Sequence, residues 1–252
     1  FTFTLEAISN GKHVLCEKPF TMNAFESMTL LNLACSSNIF LMEAYMYRTH
    51  PQTKNILSNL NFIQDENQKI LIEASFGFEA DVPIDHRLRD PQLGGGAILD
   101  IGCYPLTMCK LLAGHLQGQQ FADPKSLEAS GQLDETGVDL QSHAHIIFSD
   151  TIEAKISCAI NQQLANNLVI SNQQKSIAIS QPWHCGQFQD GKSSILFYQG
   201  DKVINEISFE DNVGLFTREI EHASDCILNN KIESELISHI ETQSNMFWLD
   251  QW

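Results

Sequence analysis

Apolar runs and helical periodicity alternate at the start of the chain. A helical pattern over Phe3–Ser9 is broken by Asn10-Gly11, and the apolar run His13–Cys16 then predicts a buried strand. Helical spacing resumes over Asn23–Ser37, with Asn23 as the predicted N-cap, and Ile39–Met42 predicts a second buried strand. Because a strand, a helix and a strand in about thirty residues form a βαβ unit, this part of the chain predicts a parallel sheet.

After His50 the pattern changes to closely spaced strands. Helical spacing is predicted over Pro51–Leu60 and Gly96–Ala113, and Lys69–Glu79 alternates like a strand. Short β-type runs separated by turn signals then predict an antiparallel sheet, and two helical stretches follow it. These runs and stretches are Leu127–Leu133, His143–Phe148, Ile152–Ile160, Asn167–Ile170, Ser176–Ile179, Ser194–Tyr198, Lys202–Phe209, Leu215–Leu228 and Ser238–Leu249.

The two patterns together predict an α/β plus α+β fold. A fragment of a parallel α/β domain is followed by a domain built on a predominantly antiparallel sheet. Because few helices remain to cover that sheet, we expect a second copy of the chain to cover its apolar face between Leu127 and Phe209.

Composition narrows the class of protein. The 31 acidic residues against 15 basic ones give a net charge of −16 at pH 7, which argues against binding to nucleic acid or to anionic membranes. The most apolar stretch, Gly94–Leu112, is interrupted by Asp100 and Lys110, so the sequence predicts no membrane span. The seven cysteines are scattered without a C-x-x-C pair, which predicts neither a disulfide framework nor a structural metal site and favours a cytoplasmic location.

Neither end of the chain carries a signal of its own. The chain begins at Phe1 without a secretory pattern, and its last helical stretch stops at Trp252 without a glycine or proline exit. We therefore treat both ends as candidate truncations.

The first candidate for chemistry is Glu17-Lys18-Pro19, which directly follows a predicted parallel strand. In open α/β sheets, ligands bind beyond the carboxyl ends of the strands, so Lys18 can face a ligand there. The alternative is a surface ion pair between neighbouring residues. The proline also allows a cis peptide bond that would orient the lysine.

The second candidate is the glycine-rich segment Gly94–Pro105. If this segment is helical, Asp100 and Tyr104 share a face, where they could hold a hydroxyl group and transfer its proton, and Gly102 would leave space between them. Tyrosine has a reference pKa of about 10, and a nearby cation such as Lys18 would lower it. The alternative is a glycine-rich turn followed by an ordinary core helix.

Four motifs in order resemble those of the glucose–fructose oxidoreductase, inositol dehydrogenase and dihydrodiol dehydrogenase family. They are Asn10–Pro19 (NGKHVLCEKP), Phe40–Pro51 (FLMEAYMYRTHP), His86-Arg87-Leu88 and Gly94–Tyr104 (GGGAILDIGCY). The chain is most similar to the branch of dihydrodiol dehydrogenases and NADP-dependent xylose dehydrogenases, because that branch has tyrosine where many relatives have histidine in the D-x-G-x-[HY] motif.

This resemblance implies a domain organisation, a cofactor and a substrate class. Residues 1–48 would be the C-terminal remnant of a Rossmann-type nucleotide-binding domain, and residues 49–252 a substrate-binding and dimerisation domain with an open-faced sheet. The implied activity is transfer of a hydride between NADP(H) or NAD(H) and a hydroxyl group of a sugar, polyol or dihydrodiol. The implied assembly is a homodimer.

The resemblance also implies roles for individual residues. Lys18 and Tyr104 would be catalytic, with Tyr104 as the proton donor or acceptor. Asp100 and Arg87 would contact the substrate. The cofactor contacts would come from Glu17, Lys18, Pro19 and Arg48.

The printed sequence departs from the family in one respect. The family's G-x-G-x-x-G turn, which places the cofactor's pyrophosphate at a helix N-terminus, does not occur anywhere in it. We therefore expect this chain to bind nicotinamide cofactor weakly. The alternative function is a non-catalytic oligomerising or sugar-binding module that has lost its dinucleotide-binding half.

Overall fold

The computed structural model describes residues 1–65, 68–187, 190–211 and 213–252. The chain forms two compact units, one from Phe1–His50 with Val213–Gln251 and the other from Pro51–Asn212 with Trp252. The first division lies close to the predicted boundary after residue 48. The predicted second domain, 49–252, differs from this division because residues 213–251 return to the first unit, where their helices pack.

Helices and strands follow the predicted order, and the mixed fold class is confirmed. Short 3₁₀ turns lie at Leu60–Phe62, Arg87–Arg89 and Pro91–Leu93, and a π-helix lies at Ile98–Gly102. In chain order the main elements are α1 (Thr2–Ser9), β1 (Val14–Glu17), α2 (Ala24–Ser37), β2 (Leu41–Ala44), α3 (Met46–Thr49), α4 (Pro51–Ser58), β3 (Ile70–Gly77), α5 (Cys103–Leu116), β4 (Ser126–Leu133), β5 (Asp139–Ile147), β6 (Ile152–Ala159), β7 (Leu168–Ser171), β8 (Lys175–Ile179), β9 (Lys192–Gln199), β10 (Lys202–Glu210), α6 (Thr217–Leu228) and α7 (His239–Gln251).

The first unit contains the predicted βαβ arrangement. Strands β1 and β2 pair in parallel and are connected by α2. The Asn23 side chain caps α2 by accepting the Glu26 backbone N–H at 2.9 Å, as predicted. Strand β2 begins at Leu41, not at Ile39, because the Ile39 N–H still bonds the Ala34 carbonyl and closes the end of α2. Helix α7 packs against α2 and β2, and α6 packs against α3.

The second unit is an eight-stranded sheet with the order β10-β9-β8-β7-β3-β6-β5-β4. Strand β3 lies between β6, with which it runs parallel, and β7, with which it runs antiparallel. The remaining neighbours are antiparallel, in agreement with the prediction of a predominantly antiparallel sheet.

One face of this sheet is apolar and covered, and the other is polar and open. Helix α5 and the π-helix pack on β3 and β6, over buried residues such as Ile72, Ile146 and Ile156. The opposite face presents charged and polar side chains, including Glu73 and Lys155. The expectation that a second copy covers the apolar face rested on a shortage of helices to cover it. That reasoning is wrong, because this chain's own helix covers that face.

The helix predicted over Gly96–Ala113 is two elements. The π-helix is followed by α5, and the backbone N–H of Cys103 reaches back to the Ile98 carbonyl five residues earlier. By length and composition alone, the stretch Pro91–Leu116 would also pass as a membrane-crossing helix, and 83% of its most apolar window is buried inside the protein. Core helices of soluble proteins meet the same criterion.

Candidate active site

The Glu17-Lys18-Pro19 segment leaves the carboxyl end of β1, as predicted. Strand β1 ends at Glu17, and the Lys18–Pro19 peptide bond is cis. The Lys18 backbone N–H donates to Glu17 Oε2 at 3.2 Å. Since β1 and β2 are parallel, the ends of both strands meet at this edge of the first unit.

A buried carboxylate holds the next residue of this loop in place. The Phe20 backbone N–H donates to Glu43 Oε1 at 3.0 Å, and Glu43 comes from the fully buried strand β2. Burial raises the pKa of Glu43 to about 7, although the Phe20 hydrogen bond acts in the opposite direction. Glu43 is therefore a supporting residue that the apolar strand pattern did not reveal.

Arg48 is buried in an ion pair within the first unit. Its Nη1 and Nη2 contact the two carboxylate oxygens of Glu241 at 2.5 and 3.1 Å, and Nη2 also donates to the Leu236 carbonyl. The exposed fractions of the two side chains are 4% and 3%. Arg48 thus ties α3 to α7, and its role as a cofactor contact remains a prediction.

Glu219 on α6 is a second buried carboxylate of this unit that sequence reasoning missed. Burial raises the pKa of Glu219 to about 7, and the nearby negative charge of Glu17 raises it further. Because Glu17 begins the predicted cofactor segment, Glu219 adds a proton-binding group beside that segment.

In the second unit, a distant aspartate fixes the start of the glycine-rich segment. Asp139 on β5 accepts the Ile98 backbone N–H through Oδ2 at 2.7 Å, and burial raises the pKa of Asp139 to about 6. Gly96 has a φ of +111°, and a Cβ there would lie 2.2 Å from Asp139 Oδ1. Glycine is therefore required at this position by both backbone conformation and space.

Asp100 and Arg87, the two predicted substrate contacts, lie together. Arg87 Nη2 is 3.1 Å from Asp100 Oδ1, and the Arg87 side chain is 61% exposed against 13% for Asp100. Asp100 belongs to the π-helix, in which residues five apart bond, so the predicted α-helical spacing between Asp100 and Tyr104 does not hold across this turn.

A glycine is needed at position 102 for a different reason from the one predicted. A Cβ at this position would lie 2.9 Å from Trp252 Cζ3 and 3.0 Å from Cys158 Sγ. The glycine therefore admits the Trp252 ring, which is held by a hydrogen bond from its Nε1 to Ser142 Oγ at 2.8 Å.

Tyr104 lies in an aromatic cluster at the start of α5. Its ring meets the Phe76 ring edge to face at 5.2 Å and the Trp183 ring at 6.1 Å. His184 packs against Phe76 at 5.5 Å. Only 5% of Tyr104 is exposed, so packing restricts its ring to one orientation. Trp183 and His184 follow no periodic pattern, and sequence reasoning missed them.

The predicted site residues fall in both compact units. Glu17, Lys18, Pro19 and Arg48 belong to the first, and Arg87, Asp100 and Tyr104 belong to the second. The structure brings Arg87 and Asp100 into contact and places Glu17, Lys18 and Pro19 on one loop.

Known proteins with the same organisation are oxidoreductases. Residues 69–178 match the GFO/IDH/MocA C-terminal domain. The chain is 32% identical over 242 residues to trans-1,2-dihydrobenzene-1,2-diol dehydrogenase of Xenopus tropicalis, covering 95% of this chain and 69% of that protein. It is 34% identical over 112 residues to D-xylose 1-dehydrogenase (NADP(+)) 2 of Haloferax volcanii, covering 43% of this chain and 33% of that one.

Solved structures agree on the fold. A variant of a 3-ketoreductase from Actinomadura kijaniata, in complex with TDP-benzene and NADP, superposes with a TM-score of 0.81 at 20% identity. The match covers 99% of this chain and 72% of that one. Aldose-aldose oxidoreductase from Caulobacter crescentus, complexed with glycerol, gives a TM-score of 0.78 at 20% identity over 99% of this chain and 71% of that one.

The fold and the similarity to known dehydrogenases thus define the architecture of a sugar- and diol-type oxidoreductase. The chain belongs to the GFO/IDH/MocA family, on the branch of the trans-1,2-dihydrobenzene-1,2-diol dehydrogenases. The resemblance found in the sequence is confirmed, and the alternative of a non-catalytic module receives no support.

Proposed function

We propose that the protein containing this chain is an NADP(H)-dependent dehydrogenase that oxidises a hydroxyl group of a sugar or dihydrodiol to a carbonyl. The observation that carries this proposal is the likeness to the Xenopus diol dehydrogenase over 95% of the chain, with the Lys18 and Tyr104 motifs both retained. An NADP-dependent D-xylose dehydrogenase among the relatives supports the choice of cofactor and of a small polyhydroxyl substrate.

The residues at the end of β1 fit the nicotinamide end of such a cofactor. The parallel pair β1–β2 directs Glu17, Lys18 and Pro19 to the strand ends where α/β sheets bind nucleotides. A nicotinamide cofactor held there would supply the hydride chemistry of the reaction. We assign the nicotinamide contacts to Glu17, Lys18 and Pro19. Arg48 does not contact the cofactor in this assignment. It acts indirectly, through its ion pair to Glu241.

This chain's own residues then handle the proton and the substrate. Tyr104 exchanges the substrate hydroxyl proton, and Lys18 places a positive charge at the reacting end of the cofactor. Asp100 accepts a hydrogen bond from a substrate hydroxyl, and its pairing with Arg87 orients the carboxylate.

The proposal includes the cellular location and the oligomeric state of the protein. A cytoplasmic homodimer without nucleic-acid or membrane partners agrees with the net charge of −16 and with the open polar face of the eight-stranded sheet.

The test is the reduction of NADP⁺ with D-xylose and with a trans-dihydrodiol, using protein expressed from the complete reading frame that encodes this chain. We expect Lys18→Met to lower kcat by roughly 10²-fold or more. The matched control is Lys12→Met, an exposed lysine that precedes β1, and its rates should equal those of the parent. Full activity in Lys18→Met, or no turnover of either substrate class by the folded parent, would contradict the proposal.

A further inference from the structure

Three metal-ligating side chains meet on the first unit, at the C-terminal half of α6. His222 and Cys226 are four residues apart and share one face of the helix, and the segment after the helix brings Glu235 to the same place. Cys226 Sγ lies 3.6 Å from His222 Nε2 and 4.0 Å from Glu235 Oε2. The three ligand atoms lie within 4.8 Å of one another.

These separations are close to those of a tetrahedral zinc site. Zinc–nitrogen bonds of about 2.0–2.1 Å and zinc–sulfur bonds of about 2.3 Å put the two ligand atoms roughly 3.6 Å apart at the tetrahedral angle. The His222–Cys226 separation already has this value. The Glu235 side chain is 55% exposed, so it can move the few tenths of an ångström that its separation from Cys226 requires.

Ser234 sets the histidine in the form that binds a metal. Its Oγ accepts the backbone N–H groups of Leu236 at 3.0 Å and Ile237 at 3.3 Å, and lies 2.7 Å from His222 Nε2. With both lone pairs of the oxygen used, the hydroxyl proton points to His222 Nε2. The lone pair of that nitrogen accepts the Ser234 hydroxyl in the metal-free chain, so a metal ion must replace this hydrogen bond; the same nitrogen faces Cys226.

A positive charge already lies against the cluster. Lys231 Nζ donates to Glu235 Oε2 at 2.7 Å, from a side chain that is 45% exposed. This long side chain can turn into solvent and leave the carboxylate to another cation. Coordination to a divalent cation displaces the thiol proton of a cysteine ligand.

We propose that His222, Cys226 and Glu235 form a binding site for Zn²⁺, with water as the fourth ligand. The bound ion would join the end of α6 to the segment that follows it. This inference does not rest on the proposed function.

The direct test is titration of the metal-free, full 252-residue chain with Co²⁺, followed by competition with Zn²⁺. We expect one Co²⁺ per chain, with the intense visible bands of four-coordinate cobalt and a near-ultraviolet sulfur-to-cobalt band. Cys226→Ser should abolish the sulfur band, and Glu235→Gln should weaken binding by roughly 10-fold or more.

The matched control is Cys35→Ser. Cys35 Sγ is 3.3 Å from His239 Nδ1 in the same unit, so it is the competing thiol–imidazole pair. Its removal should leave the cobalt spectrum unchanged. A sulfur band that persists in Cys226→Ser or disappears in Cys35→Ser would overturn the proposal, as would a folded chain that gives no cobalt spectrum.

A second variant tests the site in the opposite direction, without removing a ligand. Lys231→Met removes the competing ammonium group, so it should increase the affinity for Zn²⁺ severalfold. Zn²⁺ should also raise the thermal unfolding midpoint of the parent, and His222→Gln should remove that rise. An affinity that is unchanged or lower in folded Lys231→Met would count against the proposal.

Discussion

Replacing Tyr104 by phenylalanine separates a catalytic role from a packing role. The substitution removes one hydroxyl group and keeps the ring between Phe76 and Trp183, whose centroids lie 5.2 and 6.1 Å away. If Tyr104 transfers the substrate proton, kcat should fall by roughly 10²–10⁴-fold, the usual contribution of general acid–base catalysis. This loss corresponds to about 3–5 kcal/mol of transition-state stabilisation.

The effect of this substitution on stability should be much smaller. The aromatic contacts remain, so the free energy of unfolding should change by about 1 kcal/mol, the net value of one hydrogen bond. The affinity for NADPH should also remain close to that of the parent, because the hydroxyl group acts on the substrate.

The assay is the initial rate of NADP⁺ reduction at saturating cofactor, with urea unfolding followed on the same samples. Tyr198→Phe, a half-buried tyrosine on β9 of the same unit, is the matched control and should keep the parent kcat. If Tyr104→Phe keeps kcat within a few-fold of the parent and alters only stability, Tyr104 is a packing residue and the reasoning is refuted.

Three further predictions concern stability. Glu241→Gln leaves Arg48 buried without its countercharge, so the free energy of unfolding should fall by roughly 3–5 kcal/mol, and urea unfolding that shows less than 1 kcal/mol would contradict this. Gly102→Ala should cost roughly 1–3 kcal/mol because its Cβ meets Trp252, and the cost should shrink when it is combined with Trp252→Ala; a gain in stability, as helix propensity alone predicts, would refute it. The folded-state pKa of Glu43 is raised from 4.5 to about 7, so the stability that this group contributes is fully present below pH 4.5 and is lost as the pH rises through 7. Over that window Glu43→Gln should flatten the pH dependence of unfolding by up to about 1.4 kcal/mol per pH unit, and an unchanged slope would show that Glu43 does not titrate there.

Much of the fold could be predicted because its parts carry local signals. Two apolar runs and the Asn23 cap predict the β1–α2–β2 unit. The structure confirms the two strands and the cap. The alternating strands of the second unit were recognisable for the same reason, since residues two apart share a face. The order of the eight strands carries no local signal, because it depends on pairings between distant segments such as Ile70 with Ile152.

The candidate site was less predictable where the residues that hold it in place are distant in sequence. Asp139 lies forty-one residues from the Ile98 N–H that it accepts, and nothing near either residue indicates the partner. The π-helix has the same apolar spacing as an α-helix, so periodicity cannot distinguish the two. Lys18, Asp100 and Tyr104 were predicted as site residues from motifs. Glu43 and Glu219 are buried carboxylates, and a sequence does not display burial.

The division of the first unit into two separate segments has a consequence for synthesis. Strand β2 is buried along its whole length, and α7, which packs on it, is made only after the entire second unit. At about 5–20 residues per second, translating that intervening stretch takes roughly 8–32 s. During this interval the apolar strand and Arg48 have left the ribosome without their partners. A nascent chain of this topology therefore exposes an apolar, aggregation-prone surface for seconds. We expect molecular chaperones to bind that surface.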